Sequence, residues 1–345
     1  MLYEYCVIGN GLIGASVALE LAHRSGSVCV LGAAYGDEGR YYSSHEDDSR
    51  IARCWHKDAY WEELAQRNIA RLQALAEASG LPIFRRTPVF YNYPSEYHLT
   101  SACAAKRKSP DGNPHASQFD YEDIHGGIIE PKIYIAALNQ EARKHKAEVV
   151  RCVVKDTHWK NGRARISTSA GEIHARRVVD ARGIFFESGG TRCDAAVAGK
   201  IVLFVESTAK ETEPFCFVDG TCRTDAVDDM YGIMHYKTAG TRIVSKFGFS
   251  EHHPVQLHTA EEIAAWFQTG YRFHPQIQCA MQLLKRYCPE ATGEIHAKPC
   301  AFVTTPDARP ILLLEEQHGT ITGCNGMAAK CCQALAEKMV QMWNV

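Results

Sequence analysis

The stretch that decides the fold is Tyr3-Glu-Tyr-Cys-Val-Ile8-Gly9-Asn-Gly11-Leu-Ile-Gly14-Ala-Ser-Val-Ala-Leu-Glu-Leu-Ala22. Tyr3–Ile8 is a short, mostly apolar run suited to a buried parallel strand. Beyond the glycines, Val17, Ala18, Leu21 and Ala22 recur at helical spacing. Strand, G-x-G-x-x-G, helix is the order that a dinucleotide pyrophosphate needs. The glycines permit a tight turn and close backbone approach, and the helix N-terminus supplies amide donors and positive potential. A second apolar run, Val28–Leu31, follows about twenty residues after the first glycine. The expectation is an ADP-binding unit in which Gly9, Gly11 and Gly14 face the cofactor.

One position departs from that pattern. Where an acidic residue should hold the ribose hydroxyls, the second strand ends in Gly32, within VCVLGAAYGDE. Asp37 or Glu38 would have to reach in from the loop, or the contact is missing. A weakened ribose anchor argues against a freely exchanging nicotinamide cofactor.

Working outward, Tyr60–Ser79 reads as a helix and Arg86–Tyr91 as a strand. The segment 92–125, rich in Pro, Ser, Asn, Asp and His, reads as irregular and surface-exposed. Ile133–His145 is a second helix. It is followed by strands at Glu148–Val154, Arg163–Ser169 and Arg176–Ala181, with turns at Asn161-Gly162 and Ala170-Gly171. From Lys200 to about Gly248 short apolar runs alternate with turns, as in an antiparallel sheet. Helices are expected at Ala260–Gln268 and Gln276–Tyr287, strands at Ile311–Leu314 and Thr320–Gly323, and a last helix from Met327 to Trp343. The fold class is therefore α/β (α+β overall): a Rossmann-like dinucleotide domain with a second, mostly antiparallel β domain. Residues 1–85, 126–190 and 295–345 would form the first, and 86–125 and 191–294 the second.

Composition narrows the function classes. The chain has 345 residues, 46% apolar and 23% charged, with a net charge of −2; nothing in that balance favours nucleic acid or a membrane surface. The longest apolar runs, Ile201–Val205 and Ile311–Leu314, are strand-sized. A structured motif from about the third residue leaves no room for a signal peptide, and fourteen cysteines then point to a reducing, cytoplasmic setting. No C-x-x-C pair occurs. His252, His253 and His258 cluster in a loop-like stretch and read as solvated, so no metal is expected.

Four segments resemble one family. Ser44-His-Glu-Asp-Asp-Ser-Arg50-Ile-Ala-Arg53 resembles the S-H-x-x-D-[ST]-R-I-x-R segment of the monomeric sarcosine oxidase family, FAD-dependent amine oxidases within the wider D-amino-acid oxidase group. Ser245-Lys246-Phe-Gly248 is similar to that family's lysine-bearing strand. Cys300-Ala-Phe-Val-Thr-Thr-Pro-Asp307 resembles its C-x-x-T-x-T-x-D, with Val303 for the first Thr. Gly323-Cys-Asn-Gly326-Met-Ala-Ala-Lys330 is similar to its G-x-S-G-x-G-x-K, with Asn325 for Ser and Ala328 for a Gly. The segments come in the family's order and at about its spacing.

The resemblance implies roles that the residues alone leave open. Arg50 and Arg53, three apart and on one face if the segment is helical, read otherwise as a surface pair neutralising Glu46, Asp47 and Asp48. By resemblance Arg50 lies at the isoalloxazine ring, as a cation that stabilises the reduced flavin. Arg53 faces a substrate carboxylate, which its planar fork can bind in bidentate fashion. Lys330, otherwise a solvated helix lysine, becomes the second cation for that carboxylate, close to the flavin. Lys246, otherwise a solvent-facing strand lysine, becomes the one that assists reaction with oxygen, where a fixed cation in a low-dielectric site stabilises superoxide. Tyr231 matches an aromatic pocket residue, with His235 competing for the assignment. The family's pocket histidine, four residues after the lysine, is Ser250 here, which puts the native substrate in doubt. Ser44, Val154 and Gly326 are expected beside the cofactor. Cys300, otherwise a buried inert thiol, matches the cysteine that carries FAD through a thioether, which calls for a lowered pKa.

The resulting expectation is an oxidase of a small amino acid or a carboxylate-bearing secondary or cyclic amine. It uses FAD tethered through Cys300, gives an imine and returns electrons to O2 as H2O2. A dehydrogenase with another electron acceptor is the alternative, and a non-catalytic flavin-binding subunit a further one. The partners expected are the amine and O2, in a protein taken as a monomer.

Overall fold

The computed structural model describes residues 1–33, 43–45, 47–93, 104–106, 119–186, 194–206, 213–222, 227–237, 243–273, 277–287 and 294–343. Its centre is the strand Leu2–Ile8 (β1), flanked in parallel by Val28–Gly32 (β2) on one side and Gly171–Asp180 on the other. Cys6 and Val7 are consecutive and both fully buried, so both faces of β1 are covered, as a parallel α/β sheet requires. The helix Leu12–Ala22 (α1) follows and buries every residue except Ile13. An eight-stranded sheet extends from this centre to Glu148–Arg151 beyond β2, and through Arg163–Thr168 to Val154–Lys160 on the other edge. The hairpin Ile311–Glu315/His318–Thr322 joins it alongside Gly171–Asp180.

Three further helices pack with α1: Ala59–Ser79, Pro131–Lys144 and Ala328–Gln341. The first starts on Asp58, whose carboxylate accepts the Tyr60 N–H at 2.9 Å, and ends on Gly80 at φ +69°. A buried polar knot fixes the last helix against the other two. Asn68 Oδ1 accepts from Gln333 N at 2.8 Å, and Gln333 Nε2 donates to Tyr134 Oη at 2.6 Å. Each buried donor is thereby satisfied, and the helix that bears Lys330 is held at a defined depth.

The second sheet has nine strands and is mostly antiparallel. Its order runs Val255–Leu257, Ala196–Glu206, Ile243–Glu251, Val227–Lys237, Phe215–Asp219, Val89–Asn92, Tyr121–Asp123, Ala104–Lys106. Ile295–Thr304 pairs with Ala196–Glu206 along its whole length. A small sheet of Arg50–Ala52, Gly127–Ile129 and Phe84–Arg86 completes the set.

Three sequence expectations differ from this architecture. Residues 295–304, placed with the nucleotide domain, form a strand of the antiparallel sheet; Ala301 and Val303 are buried in its apolar core. The segment 92–125 is not uniformly irregular and exposed, because Tyr121–Asp123 is a strand and Asp123 is 1% exposed. Arg50 does not stand on a helix: Arg50–Ala52 is extended, and an odd spacing along a strand turns side chains to opposite faces. The helices lie where the 3.6-residue pattern puts them, within a few residues at their ends.

Candidate active site

One cavity of about 1580 Å³ runs from the glycine turn to the start of the last helix. At its nucleotide end, Gly9 sits at φ +106°, and a Cβ there would lie 2.4 Å from the Ala181 carbonyl. A Cβ on Gly14 would overlap the Gly9 carbonyl, at 1.7 Å. These two glycines close the turn, and Gly11 opens α1 with no side-chain cap and no acid in its first turn. The N-terminal amides therefore face the cavity unspent. Val154, Cys152 and Gly32 border the same end.

Gly32 lacks an acid for a steric reason. A Cβ there would meet Asn10 Cβ at 2.5 Å and Asn10 N at 2.8 Å. The close approach of the turn to β2 excludes any side chain. Asn10 Oδ1, out of solvent and without a hydrogen-bond donor among the described residues, borders the cavity at this point. Asp37 and Glu38 lie outside the described residues.

Farther along, Arg50, Asp47 and Lys246 form one buried cluster. Asp47 is 2% exposed. Its Oδ2 accepts from Arg50 Nη1 at 3.0 Å and lies 2.5 Å from Lys246 Nζ, and its Oδ1 lies 2.5 Å from Arg50 Nη2. Lys246 Nζ also donates to the carbonyls of Asp48 at 2.5 Å and Ser49 at 2.8 Å. Arg50 donates to the carbonyls of Ser44, Asp47, Asp48 and Ser49. Burial and the neighbouring Arg50 pull Lys246 down to about 8, against the opposing pull of Asp47. Burial pushes the Asp47 carboxyl up, but Arg50 and Lys246 outweigh it and hold it below the usual carboxylate range. Lys246 points inward, as the family resemblance requires, yet its three protons are spent. It is not among the described residues that border the cavity, whereas Arg50 is.

Arg53 emerges on the other side. Its Nη1 is out of solvent with no hydrogen-bond acceptor among the described residues, and the residue borders the cavity together with Lys330. Lys330 is 7% exposed. Burial first, then the charge of Arg53, drive its ammonium well below the ordinary lysine range. His56, 8% exposed, is kept neutral by burial and by the same two cations. Asp123 seats the segment: its Oδ2 accepts the Cys54 N–H at 2.6 Å, the Trp55 N–H at 2.9 Å and the Tyr91 hydroxyl at 3.2 Å. Two cations brought together out of water, with no carboxylate bonded to either among the described residues, form a site shaped for an anion.

Tyr231 and Cys300 line the stretch between. A Cβ on Gly248 would lie 2.2 Å from the Tyr231 hydroxyl, so the phenol end of the ring packs against that glycine. Burial pushes the Tyr231 phenol well up. Cys300 stands opposite Lys200 across the paired strands and borders the cavity with it. Its thiol is not acidified, contrary to the sequence expectation. Burial and Asp47 lift it to about 11, against Arg50, Lys246 and Lys200. The turn after the Cys300 strand and the turn before the Lys330 helix are clasped by Asn325, at φ +49°. Its Oδ1 accepts from Thr305 N at 3.0 Å, and its Nδ2 donates to Gly323 O at 2.6 Å. Gly326 follows at φ +76° and leads into the uncapped start of the last helix.

The structure thus gathers Gly9, Gly11, Ser44, Arg50, Arg53, Val154, Tyr231, Cys300, Gly326 and Lys330 on one cavity. Gly14 shapes the turn from behind. Asp123, Lys200 and Asp229 escaped the sequence reading, because lone charged residues in unremarkable surroundings carry no spacing signal; in the sequence Asp47 reads only as a surface partner of the arginines. The unfilled turn, the uncapped helix ends and the orphaned polar atoms fit an extended dinucleotide such as FAD. His252, His253 and His258 belong to no metal-binding group among the described residues, and no helix there is long and apolar enough to cross a membrane.

Comparison with known proteins agrees with the geometry. Residues 4–342 match the DAO family, described as FAD dependent oxidoreductase. No curated protein matches the chain. Among solved structures, NikD, an unusual amino acid oxidase essential for nikkomycin biosynthesis, superposes with a TM-score of 0.72 at 16% identity, over 97% of this chain and 94% of that one. L-proline dehydrogenase from P. horikoshii does so at 0.71 and 17%, over 99% and 93%. Glycine oxidase from Bacillus cereus gives 0.69 and 16%, over 99% and 97%. At such identities the likeness establishes a shared fold.

Proposed function

The chain belongs to the FAD-dependent oxidoreductase family, and we propose that it oxidises a small amino acid or another secondary or cyclic amine that carries a carboxylate. One observation carries the reading: Arg53 Nη1 is out of solvent and unbonded among the described residues, beside the buried ammonium of Lys330. A substrate carboxylate bound between them completes a charge-assisted, bidentate contact and relieves their mutual repulsion. Tyr231, braced on Gly248, supplies an apolar wall that keeps water from the reacting carbon. FAD, held along the cavity from Gly9 and Gly11 to Gly326, would supply the acceptor for a hydride from the carbon next to nitrogen. The amine is neutral at that moment, since an ammonium has no lone pair with which to form the imine.

The residues assigned to the cofactor are those that border the cavity from Gly9 and Gly11 through Val154, Ser44 and Arg50 to Gly326, with Cys300 as the covalent attachment point. Division into a nucleotide domain and a substrate domain follows the two large sheets. Reoxidation by O2 to H2O2 is the first reading, with Lys246 acting through the Asp47 carboxylate that it shares with Arg50. Transfer to another acceptor is the second, and the full bonding of Lys246 to Asp47, Asp48 and Ser49 favours it.

The test is anaerobic addition of sarcosine, glycine and L-proline to the purified yellow protein. Bleaching by at least one is expected, with Arg53→Met and Lys330→Met each raising the concentration needed by on the order of a hundredfold. No bleaching by any amine would sink the reading. Subsequent admission of O2 separates the alternatives: rapid recovery of colour, slowed by Lys246→Met more than bleaching is, supports the oxidase.

A further inference from the structure

The two cations leave a second pole of the same cavity unexplained. Asp229 lies on the strand Val227–Lys237, two residues before Tyr231, and both border the cavity. Its register partner is Ser250, whose short side chain leaves the space across from it open. Among the described residues the Asp229 carboxylate makes no hydrogen bond and no ion pair. Yet its charge bears on Arg53, Lys330, Lys200 and Tyr231. Lys200 is itself held elsewhere, donating to the Phe249 carbonyl at 3.1 Å and lying over the Phe302 ring. A half-buried carboxylate that borders a cation-lined cavity and has no bonded partner among the described residues is open to a cationic ligand.

We propose that Asp229 is the specificity-determining residue that receives a cationic nitrogen of the substrate. The cavity then binds a zwitterion between two poles, Arg53 with Lys330 for the carboxylate and Asp229 for the ammonium. This deepens the amine-oxidase reading above and rests on it. The pole selects against carboxylates of the same shape that lack the nitrogen, since these leave Asp229 unpaired beside a bound anion. It serves the reacting amine or a second amine on the side chain, and the two are separable by choice of probe.

The experiment titrates the holoprotein with isosteric pairs and follows the flavin absorbance. L-proline against cyclopentanecarboxylate reports on the reacting nitrogen; L-lysine against L-norleucine reports on a second one. In the wild type the nitrogen-bearing member of one pair binds tighter by on the order of tenfold or more. In Asp229→Asn that advantage falls to about threefold or less, while the other member binds unchanged or more tightly. Loss confined to the first pair assigns the reacting amine, and loss confined to the second assigns the side-chain amine. An unchanged ratio in both pairs overturns the proposal. Asp229→Ser, judged by the same ratios, guards against a folding defect in the first variant, and loss of flavin from both also overturns it. Arg53→Met tests the underlying reading separately. If cyclopentanecarboxylate binds it as well as wild type, the carboxylate pole is wrong whatever Asp229 does. No spectral response of the wild type to any of the four probes refutes both.

Discussion

Replacing Asp47 by asparagine removes the carboxylate that, among the described residues, joins Arg50 to Lys246, and its cost should depend on pH. Taking one partner from a buried ion pair typically costs about 3–5 kcal/mol. Asp47 is 2% exposed and bonds both cations, so the full range applies while Lys246 is charged. Lys246 has a folded pKa of about 8, below an unfolded value of about 10.4. Between these values the unfolded chain holds more protons, so stability rises with pH across that window, and below it the burial penalty is fully present. Asp47 is what raises the folded value of Lys246 against burial and Arg50. Without it the lysine sheds its proton at lower pH, and the variant regains stability relative to wild type as pH climbs toward about 8. Above that, the substitution removes only the pairing with Arg50, which keeps its bonds to the backbone carbonyls. For a chain of this length the expected loss is about 4–7 °C in Tm near pH 6, falling to about half of that near pH 9. Thermal unfolding followed by tryptophan fluorescence at both pH values measures it. Equal losses at the two pH values, or none at either, would refute the shared-carboxylate account.

Restoring the expected acid by Gly32→Asp should fail: its Cβ would press on Asn10 at 2.5 Å, costing about 1–3 kcal/mol by overpacking. Flavin content per chain should fall, and unchanged content would show that the turn yields. Asp123→Ala strips the acceptor from the amides of Cys54 and Trp55 and from Tyr91; each orphaned buried donor costs about 1–3 kcal/mol. A lower Tm with weakened anaerobic bleaching by amines is expected, since Arg53 loses its seat; an intact response would make Asp123 structural only. Acid precipitation of the wild type should leave yellow colour on the polypeptide, and Cys300→Ser should release it. Colourless wild-type precipitate with free FAD in the supernatant would exclude the tether, whose thiol lies at about 11 before attachment.

The readable parts of the chain were those governed by near neighbours. Gly9 and Gly14 announce a turn because only glycine tolerates φ +106° at the first and a carbonyl where the Cβ would be at both. The helices over Ala59–Ser79 and Ala260–Gln268 follow from period and from their Asp58 and Thr259 caps. Arg50, Arg53, Lys246, Cys300 and Lys330 were legible only as members of ordered segments, since a lone cation has no local signature. Even then Arg50 and Arg53 would share a face only if their segment were helical, and the extended backbone sends them to different partners.

By itself the sequence determined the dinucleotide turn, the alternation of elements around it and the residues that bear charge. Tertiary structure alone decided which charges are spent and which are free. Asp47 meets Lys246 across 199 positions of chain, and Asp123 reaches back 69 positions to Cys54. Arg53 and Asp229 stay unbonded to each other in one cavity. Hydrogen-bond geometry and desolvation act over a few ångströms in space, whatever the separation along the chain. Burial is a property of the packed chain, and it turns an ordinary arginine such as Arg53 into one that awaits a ligand.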